Sequence, residues 1–204
     1  MEQTHVHDVY SKIAKHFNET RYKPWPLVEQ FLYSLQSSVS ILDVGCGNGK
    51  YLSIRPDCSV HGCDPCAALL SFAQEKNPHA ELLLANGLSL PYKSQSMDYG
   101  ISIAVFHHLS TMAMRRQFLS ELRRVIRHSA LLTVWSHDAV RSTWLPGNTS
   151  GDYMVPWHNH DDGLIYQRYY HVFTKDELTS LCREFFSSVD VQYEKENWYV
   201  YLAT

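Results

Sequence analysis

The stretch V-S-I-L-D-V-G-C-G-N-G-K, residues 39–50, decides the fold of this chain. Its first half is an apolar, β-type run, which is typical of a buried strand. Gly45, Gly47 and Gly49 follow, and glycines allow the backbone to bend tightly beneath a ligand. The pattern therefore predicts a strand that ends at a nucleoside-binding turn.

The spacing of these glycines distinguishes between two nucleoside ligands. Dinucleotide-binding chains carry G-x-G-x-x-G and hold a pyrophosphate at the next helix, whereas this chain carries G-x-G-x-G. Asp43 stands just before the turn, where its carboxylate would repel a pyrophosphate but could hold the ammonium of an amino-acid moiety, directly or through water. The motif favours S-adenosylmethionine (SAM) over NAD, with Asp43, Gly45, Gly47 and Gly49 as cofactor-binding candidates.

Composition predicts one globular domain spanning residues 1–204. Hydrophobic residues make up 45% of the chain and charged residues 19%, which allows a sizeable core. The chain shows no apolar run near the ~20 residues of a membrane span and no signal-peptide pattern at its N-terminus. We therefore expect a cytoplasmic protein, with the nucleus as a second location. With a net charge of −3, a nucleic-acid partner would require local basic patches.

The segment 1–37 is predicted to form an N-terminal helical cap. Apolar residues recur at helical spacing, and Pro24 and Pro26 divide the segment into two helices. Between the helices lies T-R-Y-K-P-W-P, residues 20–26, with two cations and two aromatic rings. This turn either caps the helices or faces a substrate, because cations and stacking rings suit phosphates and bases.

A second strand, predicted at residues 59–64, ends in Asp64. In nucleoside-binding α/β folds an acid at the end of the second strand accepts hydrogen bonds from ribose hydroxyls. The same segment contains H-x-C-x-x-C, formed by His61, Cys63 and Cys66. Three candidate ligands with an acid among them do not make a convincing zinc site, so no metal is expected.

Two further strands, predicted at residues 81–85 and 98–104, bring polar groups to the same rim of a parallel sheet. Asn86 and Gly87 follow the first strand, where an amide can read an adenine edge. His107 and His108 follow the second strand, where one of them could face the substrate. Both histidines could equally lie in a surface turn.

The remaining elements complete an α/β fold. Helices are predicted directly after the glycine turn and at residues 67–76, 112–128 and 175–185, and strands at 130–135, 188–193 and 198–202. The arginines of helix 112–128 fall mostly outside its apolar stripe, so a solvated face is their default interpretation. Residues 136–167 are predicted to form a lid insertion, since they are too long for an ordinary connection. The last two strands are too close in sequence to run parallel, so an antiparallel C-terminal hairpin closes a mostly parallel sheet. This arrangement is typical of the class I SAM-dependent methyltransferase (Rossmann-like) fold, which is therefore the predicted fold.

Six motifs in one order carry a resemblance to a known family. They are T-R-Y-K-P-W-P (20–26), D-V-G-C-G-N-G-K-Y-L (43–52), I-S-I-A-V-F-H-H (101–108), V-P-W (155–157), R-Y-Y-H (168–171) and E-N-W-Y (196–199). The chain resembles the eukaryotic tRNA wobble-uridine carboxymethyl methyltransferases, which comprise the fungal enzyme and the methyltransferase domain of the animal AlkB-type fusion protein. The resemblance implies methyl transfer from SAM to the carboxylate of 5-carboxymethyluridine in a tRNA anticodon. It also implies a small zinc-binding activator subunit as a partner.

Methyl transfer to a carboxylate needs no general base, because a carboxylate with a pKa near 4 is already ionised at pH 7. The candidate residues therefore position the substrate and do not remove a proton. Arg21 and Arg168 could orient the carboxylate or a phosphate, and His107 or His108 could hydrogen-bond the base. The catalytic candidates are Arg21, His107 and Arg168, and the substrate-binding candidates are Lys23, Trp25, His108, Trp157, Tyr169 and His171. Trp25, Trp157 and Tyr169 are the candidates for stacking on the base.

The sequence also departs from the family pattern. Asn86 stands where the family has an aspartate beside the adenine, and Pro65 stands where it usually has an arginine. The P-G-G turn before the fifth strand is missing, and the lid is short. These departures leave two alternatives open: a non-catalytic SAM-fold protein that binds tRNA or a partner, and an NAD oxidoreductase, which the glycine spacing and the closing hairpin disfavour.

Overall fold

The computed structural model describes residues 1–147 and 149–204. A turn of π-helix (Gln3–His7) leads into α1 (Asp8–Thr20), and the other helices are α2 (Pro26–Ser34), α3 (Ala67–Lys76), α4 (Met112–Val125) and α5 (Lys175–Arg183). The strands are β1 (Ser40–Val44), β2 (Ser59–Asp64), β3 (Glu81–Leu84), β4 (Met97–Ile103), β5 (Ile126–Trp135), β6 (Leu145–Pro146), β7 (Asp152–His158), β8 (Ile165–His171), β9 (Ser188–Glu194) and β10 (Asn197–Ala203). Single turns of 3₁₀-helix occupy Phe106–His108 and His137–Ala139.

The main sheet has the strand order β3-β2-β1-β4-β5-β10-β9. Its first five strands pair in parallel, and β10 runs antiparallel to both β5 and β9. The predicted α/β fold, a mostly parallel sheet closed by a C-terminal hairpin, is confirmed. Because the carboxyl ends of parallel strands share one edge, β1, β2, β3 and β4 all deliver their following loops to the same rim.

Two apolar layers cover the faces of this sheet, and β1 contributes to both. Leu42 and Val44 pack in the cluster that contains the apolar faces of α4 and α5. Ile41 packs in the opposite cluster with α2, whose Val28 and Leu32 are buried. The alternation follows from the two-residue period of a strand and fixes the glycine turn at the end of β1 above a rigid core.

The helices begin where the sequence provides caps. Pro26 opens α2, where its missing N–H costs nothing. Thr111 Oγ1 accepts a hydrogen bond from the N–H of Met114 at 3.2 Å at the start of α4. At its other end α4 stops at Val125, because Ile126 already pairs with Met97 in the sheet. The prediction of helix to residue 128 is therefore wrong, and so is that of a short helix after the glycine turn, where residues 51–54 form turns.

The predicted lid region contains a second, smaller sheet. Strands β6, β7 and β8 form an antiparallel sheet in that order, and β7 pairs with β8 along its whole length, from Asp152↔His171 to His158↔Ile165. The residues predicted to form a lid insertion therefore contain regular β-structure.

The arginines in and after α4 are mostly engaged with acids. Arg116 pairs with Glu184 at 2.8 Å, Arg124 with Glu121 at 2.7 Å, and Arg127 with Asp98 at 3.0 Å. These pairs neutralise much of the positive charge that the sequence places on this helix. None of the described helices is long and apolar enough to cross a membrane.

Candidate functional site

The carboxyl ends of β1, β2 and β4 surround a cavity of about 240 Å³, which we call the inner cavity. Its lining includes Asp43, Gly45, Gly47, Asn48, Lys50, Asp64, Asn86, Gly87, Ala104 and His108 from the strand ends, Tyr10, Arg21 and Trp25 from the N-terminal cap, and Arg168 and Tyr170 from β8. The sheet therefore supplies the floor, and two flanking segments supply the walls.

The glycine turn owes its shape to close packing on its outer side. Gly49 has φ +74°, and a Cβ there would lie 2.7 Å from Nδ2 of Asn77 and 2.9 Å from Cβ of Ala73. Gly49 thus lets α3 approach the turn and does not itself line the inner cavity. Among the predicted cofactor contacts in this motif, Asp43, Gly45 and Gly47 do line it.

Asp64 ties the turn to the end of β2. Its Oδ2 accepts a hydrogen bond from the N–H of Gly47 at 2.9 Å, and its Oδ1 accepts one from the N–H of Cys66 at 2.8 Å. Burial raises the pKa of Asp64 to about 6, although both backbone donors lower it. At neutral pH Asp64 is a carboxylate with a remaining lone pair on each oxygen, which suits the hydroxyls of a ribose.

Asp43 is a buried acid of the inner cavity, and one of its carboxyl oxygens lacks a hydrogen-bond partner among the described residues. Asp43 is 1% exposed, and the oxygen in question is Oδ2. Burial raises the pKa of Asp43 to about 8, and the negative charge of Asp64 adds to this shift. A buried carboxyl group without a partner is costly, so this position calls for a cation or a hydrogen-bond donor from a ligand.

Asn86 and Gly87 close the floor on the β3 side. Oδ1 of Asn86 accepts a hydrogen bond from the N–H of Leu88 at 3.0 Å, which orders the turn and leaves the amide NH₂ for a ligand. A Cβ at Gly87 would lie 2.5 Å from Cε2 of Phe118, so only glycine allows this close approach to α4. Both residues line the inner cavity.

Arg21 and Arg168 lie against the ring of Trp157. Their guanidinium carbons are 4.8 and 4.7 Å from its centroid, and Arg168 also lies 5.0 Å from the centroid of Tyr170. Within the described structure no carboxylate lies within 4 Å of either guanidinium. Burial lowers the pKa of Arg21, and the positive charge of Arg168 lowers it further. Two adjacent cations without an acid make a strong anion site.

The two adjacent histidines point to different places. His108 lines the inner cavity, with Nδ1 2.9 Å from the carbonyl of Tyr169 and Nε2 3.0 Å from the hydroxyl of Tyr10. Because a carbonyl only accepts, Nδ1 carries the proton and Nε2 accepts from Tyr10. Burial lowers the pKa of His108 to about 3, partly opposed by the Tyr169 carbonyl, and the charge of Arg168 lowers it as well.

His107 does not line either of the cavities described here, contrary to its predicted place beside the substrate. It is fully buried, its ring stacks on Tyr170 at 4.5 Å, and neither ring nitrogen has a partner among the described residues. Burial holds the pKa of His107 well below its ordinary value, and the adjacent His108 ring and the charge of Arg168 lower it further. His107 supports Tyr170 from behind and stays neutral.

Strand β8 separates the predicted residues of R-Y-Y-H into two sets. Arg168 and Tyr170 face the inner cavity, whereas Tyr169 and His171 point to the opposite side, as the two-residue period of a strand requires. There the hydroxyl of Tyr169 donates to Oδ1 of Asp152 at 2.7 Å, and Tyr169 and His171 are buried. The predicted substrate contacts at Tyr169 and His171 are therefore not observed. Lys23 is exposed and lies outside both cavities, while Trp25 lines the inner one.

A second cavity of about 430 Å³, the outer cavity, lies next to the first. Its lining comprises His16, Thr20, Arg21, Trp135, Arg141, Trp144, Val155, Pro156, Trp157, His158, His160 and Arg168. Arg21, Trp135 and Arg168 belong to both linings, so the arginine pair stands between the two cavities. Trp157, a predicted stacking residue, lines the outer cavity only.

Sequence reasoning missed several lining residues, notably Tyr10, Lys50 and Tyr170. Lys50 ends the glycine motif, and its Nζ lies 4.9 Å from the ring centroid of Tyr51. Burial lowers the pKa of Lys50 to about 8, opposed by the charge of Asp43. The glycine motif contains both Asp43 and Lys50. An acid and a cation in so short a motif could have indicated that both residues line the site.

No three His, Cys, Asp or Glu side chains of the described residues gather into a set that could hold a metal ion. In the H-x-C-x-x-C segment, Cys63 and Cys66 are buried and His61 contacts Glu81 at 3.1 Å.

The part of the chain that forms the floor of this site is similar in sequence to known methyltransferases. The sequence profile of a family described as "Methyltransferase domain" matches residues 42–134. A tRNA (carboxymethyluridine(34)-5-O)-methyltransferase of Schizosaccharomyces pombe is 37% identical over 98% of this chain and 96% of its own length. A protein of the same name from Saccharomyces cerevisiae is 44% identical over 76% of this chain, which spans 57% of that protein.

A solved structure extends the comparison to the fold. A putative methyltransferase in complex with the Trm112 methyltransferase activator of Haloferax volcanii superposes with a TM-score of 0.68, covers 97% of this chain and 96% of its own, and is 13% identical. The resemblance drawn from the six motifs is confirmed by the sequence relatives, and it decides against the oxidoreductase. The chain belongs to the tRNA (carboxymethyluridine(34)-5-O)-methyltransferase family.

Proposed function

We propose that this chain methylates the carboxylate of 5-carboxymethyluridine at the wobble position of tRNA and forms the methyl ester. The observation that carries this proposal is the arginine pair. Arg168 is 7% exposed and has no carboxylate partner in the described structure, and the guanidinium of Arg21 contacts the ring of the same tryptophan, Trp157. A buried cation such as Arg168 requires an anion, and the substrate carboxylate would supply one.

The inner cavity fits SAM, the cofactor of this methyltransferase family. Asp43 would hold the ammonium of its amino-acid moiety, Lys50 the carboxylate, Asp64 the ribose hydroxyls, and Asn86 with Gly87 the adenine. When bound, SAM supplies the methyl group, which passes to a carboxylate oxygen and leaves S-adenosylhomocysteine. The unpartnered Oδ2 of Asp43 is the structural observation that this fit explains best.

The protein's own residues then position the nucleophile. The carboxylate is ionised at neutral pH, so no proton has to be removed. His108 is already engaged by Tyr10 and Tyr169 and stays neutral, which leaves it to shape the cavity and not to act as a base. The guanidinium groups of Arg21 and Arg168 pack on the ring of Trp157, which holds them in place to orient the carboxylate.

Methyl transfer to a defined RNA tests the proposal. The purified chain, with and without an activator subunit, is incubated with methyl-labelled SAM and an anticodon stem–loop that carries either 5-carboxymethyluridine or uridine. We expect label only in the carboxymethyl RNA. Arg168→Met should lower kcat/KM about 10-fold or more, since a charged hydrogen bond contributes ~1.5–3 kcal/mol.

Two controls make the result specific. Arg116→Met removes an exposed arginine of the Glu184 ion pair and should leave transfer unchanged. Direct SAM binding to Arg168→Met and Arg168→Lys shows whether these variants fold. Label in the uridine RNA, or full transfer by a folded Arg168→Met variant, would contradict the proposal.

A partner subunit is also proposed. Strand β3 is the terminal strand of the main sheet, and Leu83 and Leu84 on it are 41% and 65% exposed. An apolar edge strand favours pairing with another chain. The family resemblance implies a small zinc-binding activator, and the Haloferax volcanii methyltransferase of similar fold was solved in complex with the Trm112 activator. Strand addition at β3 is the proposed mode of binding.

A further inference from the structure

We infer that the outer cavity binds the nucleotide next to the reacting uridine on the RNA strand. The ligand class is one nucleotide unit of single-stranded RNA, with its phosphate on the cationic side and its base against the rings. This inference rests on the proposed function, because it extends the substrate outward from the arginine pair.

The position of the outer cavity supports this assignment. Arg21, Trp135 and Arg168 line both cavities, so a nucleotide whose carboxylate reaches the arginine pair has its neighbour beside the outer cavity. The outer cavity is lined on one side by α1 and on the other by strand β7.

The charge of the lining favours an anion. Three arginines and three histidines line the outer cavity, and its lining holds no aspartate or glutamate. Arg141 pairs with Glu196 at the rim, whereas Arg21 and Arg168 have no acid partner in the described part of the chain. A phosphate that bridges Arg141 and the arginine pair would complete this cluster.

Two rings of the outer cavity, those of Trp157 and His16, hold each other in place. Nε1–H of Trp157 donates to Nδ1 of His16 at 3.1 Å, so neutral His16 keeps its proton on Nε2 and presents a donor. The His16 ring lies 4.8 Å from that of His160. His158 and His160 are exposed, which leaves flat imidazole faces for a base at the mouth of the cavity.

A pair of short substrates tests the inference. Methyl transfer is measured on the 5-carboxymethyluridine mononucleotide and on a trinucleotide with that residue at its centre. Variants are His158→Ala/His160→Ala and, as a matched control, His79→Ala, an exposed histidine outside both cavities. The wild-type chain should prefer the trinucleotide about 10-fold, the order expected from one stacked base. The double variant should lose most of that preference and keep its kcat/KM for the mononucleotide within about 2-fold.

Binding separates this inference from the proposed function. The affinity for an unmodified anticodon-loop oligonucleotide, measured by fluorescence anisotropy, should fall about 5-fold or more in the double variant and stay unchanged in the control. If the wild-type chain transfers no methyl group, the proposed function fails and the anisotropy still decides the inference. Unchanged RNA affinity in the double variant overturns it. Equal losses on both short substrates would also overturn it, because the outer cavity would then hold the reacting nucleotide itself.

Discussion

Nδ1 of His171 lies 2.6 Å from Oδ1 of Asp152, and this buried contact joins the last residue of β8 to the first residue of β7. Nε2 of His171 lies 2.9 Å from Oε1 of Glu177 in α5. His171 therefore connects the small sheet to the helical layer of the main sheet, and the wall that carries Arg168 depends on this connection.

Removal of His171 should destabilise the protein. Burial alone would raise the pKa values of Asp152 and Glu177, but hydrogen bonds, including those with His171, lower both below their ordinary values. A lowered carboxyl pKa contributes stability above the unfolded pKa of about 4, and that stability is lost as pH falls. His171→Phe should lower the free energy of unfolding by ~1–3 kcal/mol at pH 7. The stability of this variant should also fall less steeply than that of the wild type as the pH decreases. Thermal unfolding from pH 3 to 7 measures both effects, with His79→Phe as the exposed control; identical curves for His171→Phe and wild type would refute this role.

Asp64 should be required for cofactor affinity. Asp64→Ala removes the predicted ribose acceptors and also the two hydrogen bonds that hold the turn. We expect SAM to bind ~1.5–3 kcal/mol more weakly by calorimetry. Asp190→Ala, at an exposed residue of β9, is the matched control. An unchanged dissociation constant for Asp64→Ala would remove Asp64 from the cofactor site.

Cofactor binding should release a proton near pH 7. Burial raises the pKa of Asp43 to about 8, so this carboxyl group is mostly protonated in the free protein, and a bound ammonium would favour its charged form. At pH 7 the side chain of Lys50, with a pKa of about 8, is already mostly charged, and the carboxyl group of Asp64, with a pKa of about 6, is mostly ionised. Calorimetry in buffers of different ionisation enthalpy should show the release in the wild-type chain and not in Asp43→Asn. A buffer-independent enthalpy for the wild-type chain would contradict the role of Asp43.

The edge strand β3 should govern solubility and partner binding. Expressed alone, the chain should be poorly soluble or weak in SAM binding, and co-expression with the activator should rescue both. Leu84→Lys should abolish co-purification with the activator, because a lysine on an edge strand disfavours pairing with another strand. Tyr193→Lys makes the same change at the exposed opposite edge and should leave the complex intact. A monodisperse monomer that methylates tRNA at full rate without a partner would exclude this proposal.

The sequence predicted the floor of the site better than its walls. Asp43, the glycine turn and Asp64 lie close together along the chain, and strand periodicity places them on one rim. The predicted bounds of α3 also agree with the structure, at residues 67–76. In contrast, the apolar stripe of α4 continues through Ile126, so its periodicity cannot reveal that this residue already pairs in the sheet.

The walls depend on long-range pairing, which local patterns do not encode. The motif R-Y-Y-H was interpreted as one set of substrate-contacting residues. Side chains alternate along strand β8, so Arg168 and Tyr170 lie on one face and Tyr169 and His171 on the other. The alternation could have been foreseen had residues 165–171 been predicted as a strand. Burial of His107 behind Tyr170 could not, because it requires knowing that β8 crosses above the 3₁₀ turn at Phe106–His108.

The match to the general methyltransferase profile stops at residues 42 and 134, whereas Arg21 and Arg168 lie outside those limits. On the proposed assignment, the residues that would hold the methyl donor, Asp43, Lys50 and Asp64, lie inside the matched segment, and the arginines that would hold the acceptor lie outside it. A lineage could exchange the two flanking segments and direct the same methyl donor to another nucleophile while every strand of the floor stayed in place. In a chimera, the central segment would bring its cofactor, and the flanks would decide which molecule receives the methyl group.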